Sequence, residues 1–183
     1  INSLPQLSNE MESVRGNGRA HFVFSTSNTT SATSQWVKLP LTAIITKSKM
    51  LIQMLGLTSH DCTYIISPFC FIQTFWTLVS HLLANATVVI DRFNSNRLAE
   101  RLAAGEVTTL ITVPSIARTI ANTVNNIGSL RLLVLGGDYA DGTLIDNLAN
   151  RWPNLLFANV YGCTETAAAD LVLHPTPLAK RTP

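Results

Sequence analysis

An α/β fold, built as a doubly wound and mostly parallel sheet with helices on both faces, is what the sequence predicts, and three observations predict it. Short runs rich in Val, Ile and Leu alternate with longer segments of helical period along most of the chain, giving about six strands and about five helices. The helical segments are punctuated by capping or breaking residues, among them Gly56, Gly105, Pro114, Asp141 and Pro153. Finally, the apolar runs 130–135 and 155–160 lead directly into the loops Gly136-Gly137 and 161–165. In a parallel sheet, loops of this kind lie side by side at the carboxyl ends of the strands, where ligands collect.

Taken in order, residues 1–19 are polar and aperiodic and read as a lead-in. Residues 20–25 (AHFVFS) form a β-prone run. The next ten, 26–35 (TSNTTSATSQ), carry no apolar side chain larger than alanine. They read as a loop whose hydroxyls and amides can surround a phosphate, or as a plain surface loop. A helix is predicted over 39–55, with Pro40 in its first turn, Ile44, Ile45, Leu51, Ile52 and Leu55 on one side, and Gly56 as its stop. Residues 62–66 read as a strand, Ser67-Pro68-Phe69 as a turn into a helix over 73–83, and 86–90 (ATVVI) as a buried strand. Residues 94–104 form a helix with Leu98 and Leu102 one turn apart. After the strand 107–113, Pro114 opens a helix striped by Ile116, Ile120 and Val124, with Ala117 and Ala121 beside them. The strand 130–135 is followed by a helix capped by Asp141 and striped by Leu144, Leu148 and Trp152, and then by the strand 155–160. The Pro-rich stretch 171–183 reads as extended, which leaves 20–170 as the α/β unit.

With 183 residues the chain can bury a sizeable core as one domain. It opens on Ile1 and is expected to be a piece of a longer polypeptide. Charged residues make up only 13%, against roughly 25% in an ordinary soluble domain, so neighbouring domains of the same polypeptide are expected to cover part of the surface. A net charge of +2 without a basic run argues against nucleic acid and anionic membranes as partners. Cys62, Cys70 and Cys163 form no CxxC pair, which speaks against a disulfide framework or a zinc site and for a reducing, cytoplasmic setting. Residues 63–90 contain no Asp, Glu, Lys or Arg, yet Pro68, Gln73, His81 and Asn85 interrupt them; burial in an α/β core accounts for the run without a membrane. His21, His60, His81 and His174 show no ligand spacing.

Two segments resemble a known family. LVLGGDYA (133–140) followed by NVYGCTE (159–165) is similar to the paired signature of the adenylate-forming superfamily, which includes acyl-CoA synthetases, luciferases and the adenylation domains of nonribosomal peptide synthetases. Ser67, Pro68, Phe71, Thr74 and Trp76 align with that family's S-P-x-x-F-D-x-S-x-W-E segment, and Val113-Pro114-Ser115 with its V-P-S turn. Thr26, Ser27, Thr29 and Thr30 match its phosphate loop, T-S-G-T-T-G-x-P-K-G. The resemblance implies attack of a carboxylate on the α-phosphate of ATP, giving an acyl adenylate and pyrophosphate, with ATP and Mg²⁺ required. It places Glu165 on Mg²⁺, and Thr164, Ser27, Thr29 and Thr30 on phosphate oxygens. Gly136, Gly137 and Asp138 border the adenine, Asn159 and Tyr161 lie against its ring, and Gly162 permits close backbone approach. Phe71, Ile72 and Trp76 would line the acid pocket. Each also has a plainer reading: Glu165 as a solvated rim carboxylate, Tyr161 as a core aromatic, Gly136-Gly137 as a turn requirement.

The departures from the family pattern carry their own implications. Asn28 and Ser31 stand at glycine positions, Thr33 at the proline, Ser34 at the phosphate-loop lysine and Gln35 at the last glycine, while Lys38 comes four residues late. Ile72 replaces the aspartate that holds the substrate's α-ammonium in amino-acid-activating members. Burial of an unpaired ammonium is prohibitive, so the acid is expected to lack an α-amino group: a keto, hydroxy, aryl or fatty acid. The family's ribose-binding aspartate and its C-terminal lysine lie beyond the sequence. Loss of one preorganised donor costs on the order of 10² to 10³ in rate, and two lost cations would remove roughly 10⁴. The favoured expectation is a degenerate, truncated adenylation-like domain serving as a catalytically impaired structural module of a larger synthetase, beside condensation, carrier or modifying domains. The alternative is the N-terminal portion of an active enzyme forming an acyl-AMP. A third is an α/β nucleotide-binding domain of another family.

Overall fold

The computed structural model describes residues 20–25, 36–167 and 169–180. Strand β1 (His21–Ser25) and strand β2 (Trp36–Pro40) form an antiparallel ribbon in which His21 faces Pro40 and Ser25 faces Trp36. Helix α1 (Leu41–Leu55) follows and ends on Gly56, whose φ of 60° supplies the left-handed cap and whose N–H donates to the Ile52 carbonyl. Strand β3 (Cys62–Ile65), helix α2 (Ile72–Leu83) and strand β4 (Thr87–Ile90) come next, then helix α3 (Ser95–Ala103) and strand β5 (Thr109–Thr112). The Asn94 side chain caps α3 by accepting from the N–H groups of Asn96 and Arg97. Helix α4 (Pro114–Thr123), strand β6 (Leu132–Gly136), helix α5 (Gly142–Arg151) and strand β7 (Leu156–Tyr161) complete the alternation. Asp141 caps α5 through the Leu144 N–H, as the sequence predicts.

In the larger sheet the strands lie in the order β4-β3-β5-β6-β7, all parallel. The chain steps outward from β3 to β4, then crosses to the other side of β3 for β5 and continues to β7. The order therefore reverses between β3 and β5, where a single register pair, Thr63 with Thr109, joins the two strands. Period-2 alternation divides the core into two layers. On one face, Leu98 and Leu102 of α3, Ala117 and Ile120 of α4, and Leu144 and Leu148 of α5 cover Leu110, Leu133, Leu135 and Phe157. On the other, Ile44, Leu51 and Leu55 of α1 and Ile72 and Trp76 of α2 cover Ile111, Leu132, Val134, Ala158 and Val160. Helices thus lie on both faces, as a doubly wound sheet requires. Among the described residues no helix is long and apolar enough to cross a membrane.

A latch closes the amino-terminal edge of this sheet. Arg131, just before β6, donates from Nε to Asp61 Oδ1 at 2.8 Å and from Nη2 to Asp61 Oδ2 at 2.6 Å. Asp61 also accepts from the Thr58 N–H and the Thr108 hydroxyl, each at 2.8 Å, which ties β3, β5 and β6 together. Burial pushes the Asp61 carboxyl up, but these hydrogen bonds and the Arg131 charge outweigh it and bring its pKa down to about 2. His81, fully buried on α2, donates from Nδ1 to the Thr77 carbonyl at 2.8 Å, which leaves Nε2 to accept from the Thr109 hydroxyl at 2.9 Å. Burial lowers its pKa, so it is a neutral core residue that pins α2 to β5.

Three details differ from the sequence reading. The segment 36–40 is a strand rather than the start of a helix, and Pro40 is its last residue and the N-cap of α1, with φ −68° and ψ 142°. A proline with no N–H fits just outside the first turn as readily as inside it. The run 86–90 is an edge strand rather than a buried one, with Thr87 and Ile90 exposed. Part of the stretch after 170 is not merely extended: β8 (Leu171–Val172) and β9 (Thr176–Pro177) pair antiparallel with β7 before a short 3₁₀ turn at Leu178–Lys180. The predicted phosphate loop at 26–35, with Ser27, Thr29 and Thr30, lies outside the described residues, as do the lead-in 1–19 and the last three residues.

Candidate functional site

The reversal of strand order is where an open α/β sheet leaves a crevice at its carboxyl edge. A cavity of about 680 Å³ occupies it, within the range of roughly 300–1,000 Å³ typical of small-molecule sites. Its wall is assembled from the ends of successive strands: Ile65, Ile66 and Ser67 after β3, Phe93 after β4, Ile111 and Val113 at β5, Gly136-Gly137 after β6, and Gly162 to Glu165 after β7. Helix α2 closes one side with Ile72, Gln73, Thr74, Trp76 and Thr77.

Both glycines are required where they stand. A Cβ on Gly136 would lie 2.9 Å from the Val160 carbonyl oxygen of β7. Gly137 has φ +79°, and a Cβ there would meet Gln73 Oε1 at 3.0 Å. Gln73 itself is fixed by donation from Nε2 to the Thr112 carbonyl at 3.3 Å. The Gly-Gly turn, the end of β5 and the first turn of α2 are therefore in mutual contact.

The loop after β7 is held from outside the cavity. Thr164–Thr166 form a 3₁₀ turn followed by Ala167 at φ 63° and Ala169 at φ 56°, a conformation that costs a residue with a Cβ. Two contacts support it. The Thr166 hydroxyl meets the Asp170 carboxylate and the Cys163 carbonyl. Lys47 of α1 donates to Asp170 Oδ1 at 3.0 Å and to the Ala169 carbonyl at 3.4 Å. The Thr166 hydroxyl first, then the Lys47 ammonium, hold the Asp170 carboxyl below its usual range. Lys47 thus brings a cation beside the loop that carries Thr164 and Glu165.

Of the residues singled out in the sequence, Phe71, Ile72, Trp76, Gly136, Gly137, Gly162, Thr164 and Glu165 share this one wall. Asp138, Asn159 and Tyr161 are not on it. Asp138 is exposed and accepts from the Tyr139 N–H at 2.7 Å. Asn159 lies in the sheet opposite Leu135, and its carbonyl accepts from the Leu173 N–H. Tyr161 is 74% exposed at the end of β7. Sequence reasoning missed Gln73 and Phe93 on the wall and Lys47 behind it. Gln73 shares a helix face with Ile72 and Trp76, and Phe93 follows the carboxyl end of a strand, so both were within reach of the same rules. Lys47 gave no signal, because its partner lies 123 residues away.

Comparison with known proteins places this geometry. The model of the AMP-binding enzyme family matches residues 25–183. The chain belongs to the AMP-binding, adenylate-forming enzymes. It is 28% identical over 151 residues to 2-succinylbenzoate–CoA ligase of Lactococcus lactis subsp. lactis (strain IL1403), covering 80% of this chain and 33% of that protein. It is 26% identical over 125 residues to bacitracin synthase 3 of Bacillus licheniformis, covering 63% of this chain and 2% of that one. Among solved structures, O-succinylbenzoate coenzyme A synthetase from Bacillus subtilis, in complex with ATP and magnesium ion, superposes with a TM-score of 0.75 at 24% identity, over 84% of this chain and 32% of that chain. This AMP-binding chain therefore spans about a third of the length of the ligases it matches.

Proposed function

We propose that this AMP-binding chain carries the acid- and nucleotide-binding wall of an ATP-dependent ligase that converts a carboxylic acid without an α-amino group into its acyl adenylate. One observation supports this reading above the others: Thr164 and Glu165 border the same cavity as Gly136-Gly137 and the apolar Phe71, Ile72 and Trp76. In the reaction an acid oxygen bonds to the α-phosphorus of ATP, the bond from that phosphorus to the bridging oxygen breaks, and pyrophosphate leaves. The Gly136-Gly137 turn leaves room for a flat base, and the Thr164 hydroxyl is available to donate to a phosphate oxygen. Ile72 offers no counter-charge to an ammonium.

Magnesium suits the donors present. Among the described residues no group of three or more His, Cys, Asp or Glu is placed to hold a metal, and Mg²⁺ in phosphoryl chemistry takes one or two carboxylates with phosphate and water as its other ligands. Glu165, exposed at the cavity, is the carboxylate in position. Bound there, the cation would neutralise phosphate charge.

The replacement of two glycines and a lysine by Asn28, Ser31 and Ser34 favours a second reading, in which the wall is retained as a structural module of a larger synthetase with condensation, carrier or modifying domains as neighbours. The exposed Leu82, Leu83 and Ile90 are a surface that such neighbours would cover. Titration calorimetry with Mg-ATP separates the two. Binding tighter than about 100 μM, roughly 5.5 kcal/mol, upholds the ligase reading; absence of heat, together with absence of pyrophosphate exchange for every keto, hydroxy, aryl and fatty acid tried, leaves the scaffold.

A further inference from the structure

The loop that carries Glu165 is not held by the preferences of its own backbone. Ala167 at φ 63° and Ala169 at φ 56° both take the left-handed conformation although each has a Cβ, and such residues persist only where their surroundings over-determine them.

Asp170 supplies that constraint. Its N–H donates to the Tyr161 carbonyl at 2.9 Å and closes the neck of the loop leaving β7. Its carboxylate takes the Thr166 hydroxyl, inside the loop, on Oδ2 and the Lys47 ammonium of α1 on Oδ1, the latter at 3.0 Å. Lys47 also donates to the Ala169 carbonyl at 3.4 Å, so one ammonium grips the second left-handed alanine and the carboxylate next to it. The helix it comes from is itself fixed. Ile44, Leu51 and Leu55 pack α1 onto the sheet, and β2, which leads directly into α1, lies against the Thr164–Thr166 turn. The Lys47 and Asp170 side chains are only 24% and 34% exposed, which spares the pair part of the screening that a fully exposed one undergoes. Lys47 is not on the cavity wall, whereas Thr164, Glu165 and Ala169 are. The cation therefore reaches the site through the loop.

Resting on the ligase reading, in which Glu165 meets Mg²⁺ on ATP, we propose that Lys47 and Asp170 are positioning residues for metal-nucleotide binding: their ion pair fixes the turn in the arrangement that sets the Glu165 carboxylate at the cavity. A loop without the pair offers the carboxylate only part of the time, and the apparent affinity falls by that fraction.

Titration calorimetry of Mg-ATP on the full chain tests this, with urea unfolding as the control for the fold. Lys47→Met should weaken binding about three- to fivefold, the upper scale of a partly exposed ion pair. Asp170→Asn, which keeps an oxygen for Thr166 and drops the charge, should weaken it to the same extent and answers the question from the other side of the pair if the lysine variant misfolds. Lys47→Arg, which keeps the cation, should stay within about twofold of the native chain. In a Glu165→Gln background, Lys47→Met should cost less than about twofold, because the carboxylate on which the pair acts is gone. Native affinity in both Lys47→Met and Asp170→Asn overturns the inference. So does a loss that arginine does not rescue, or one equally large in the Glu165→Gln background, which would put the ammonium on the nucleotide itself. In each of these cases the native chain still binds Mg-ATP and the ligase reading stands; a native chain that binds no Mg-ATP overturns both.

Discussion

Acid unfolding of this chain should be governed in large part by one carboxyl group. The Asp61 pKa falls from an ordinary 3.8 to about 2 in the folded state. At about 1.4 kcal/mol per unit, the shift is worth roughly 2 kcal/mol of stability. The folded state binds this proton more weakly than the unfolded chain does, so the contribution is complete above the unfolded pKa and disappears as pH drops from about 4 to about 2. Urea unfolding followed by circular dichroism from pH 6 to pH 2.5 measures it. With a slope of about 2 kcal/mol per molar, the midpoint of the native chain should fall by about 1 M more over that range than the midpoint of Asp61→Asn. The comparison is needed because Asp91, Asp141 and Asp170 also have lowered pKa values and titrate in both proteins. Arg131→Met, which removes the main lowering partner and leaves burial to raise the group, should flatten the pH dependence in the same way. Equal acid losses in the native chain and in Asp61→Asn would refute the argument that the latch, rather than the exposed carboxylates, sets acid stability.

Three shorter predictions concern the cavity. Gly137→Ala should destabilise by about 1–2 kcal/mol in the same assay, because alanine is strained at φ +79°; Gln73→Ala in addition should relieve only the steric part of that loss. Lys47→Met should leave the unfolding midpoint nearly unchanged but speed hydrogen exchange at the 163–167 amides by up to about fivefold, the scale of a partly exposed ion pair; no local change would show that the loop needs no support from α1. Glu165→Gln should weaken Mg-ATP binding about tenfold or more by calorimetry without altering stability, since its carboxylate is exposed and carries no fold contact among those described.

The central strands were legible in the sequence because both are buried along their whole length: β6 reads as an unbroken apolar run, and β5 as a β-prone run of Leu110 and Ile111 between threonines. Helix α3 was legible through Leu98 and Leu102 one turn apart and the Gly105 stop, and α5 through its cap residue, Asp141; the Asn94 cap of α3 was not read. Strand order was not, because periodicity reports that a residue is covered and not which strand lies beside it; the apolar 86–90 therefore read as interior and lies at the edge. The two-residue pairings of β8 and β9 are too short to leave any period. The cavity was half legible. Gly136-Gly137 and Gly162 to Glu165 follow directly from strand ends, whereas Ile111 and Ile116 reach the same space from within a strand and from a helix, and only the folded topology brings them together.

The flank of β4 has a practical consequence. Among the described residues its outer row of peptide groups has no neighbouring strand, and the apolar Leu82, Leu83 and Ile90 are exposed close to it in the chain. Such a border invites any extended segment to dock alongside, so this chain, kept by itself at high concentration, should self-associate through that side. Ile90→Lys should blunt the tendency.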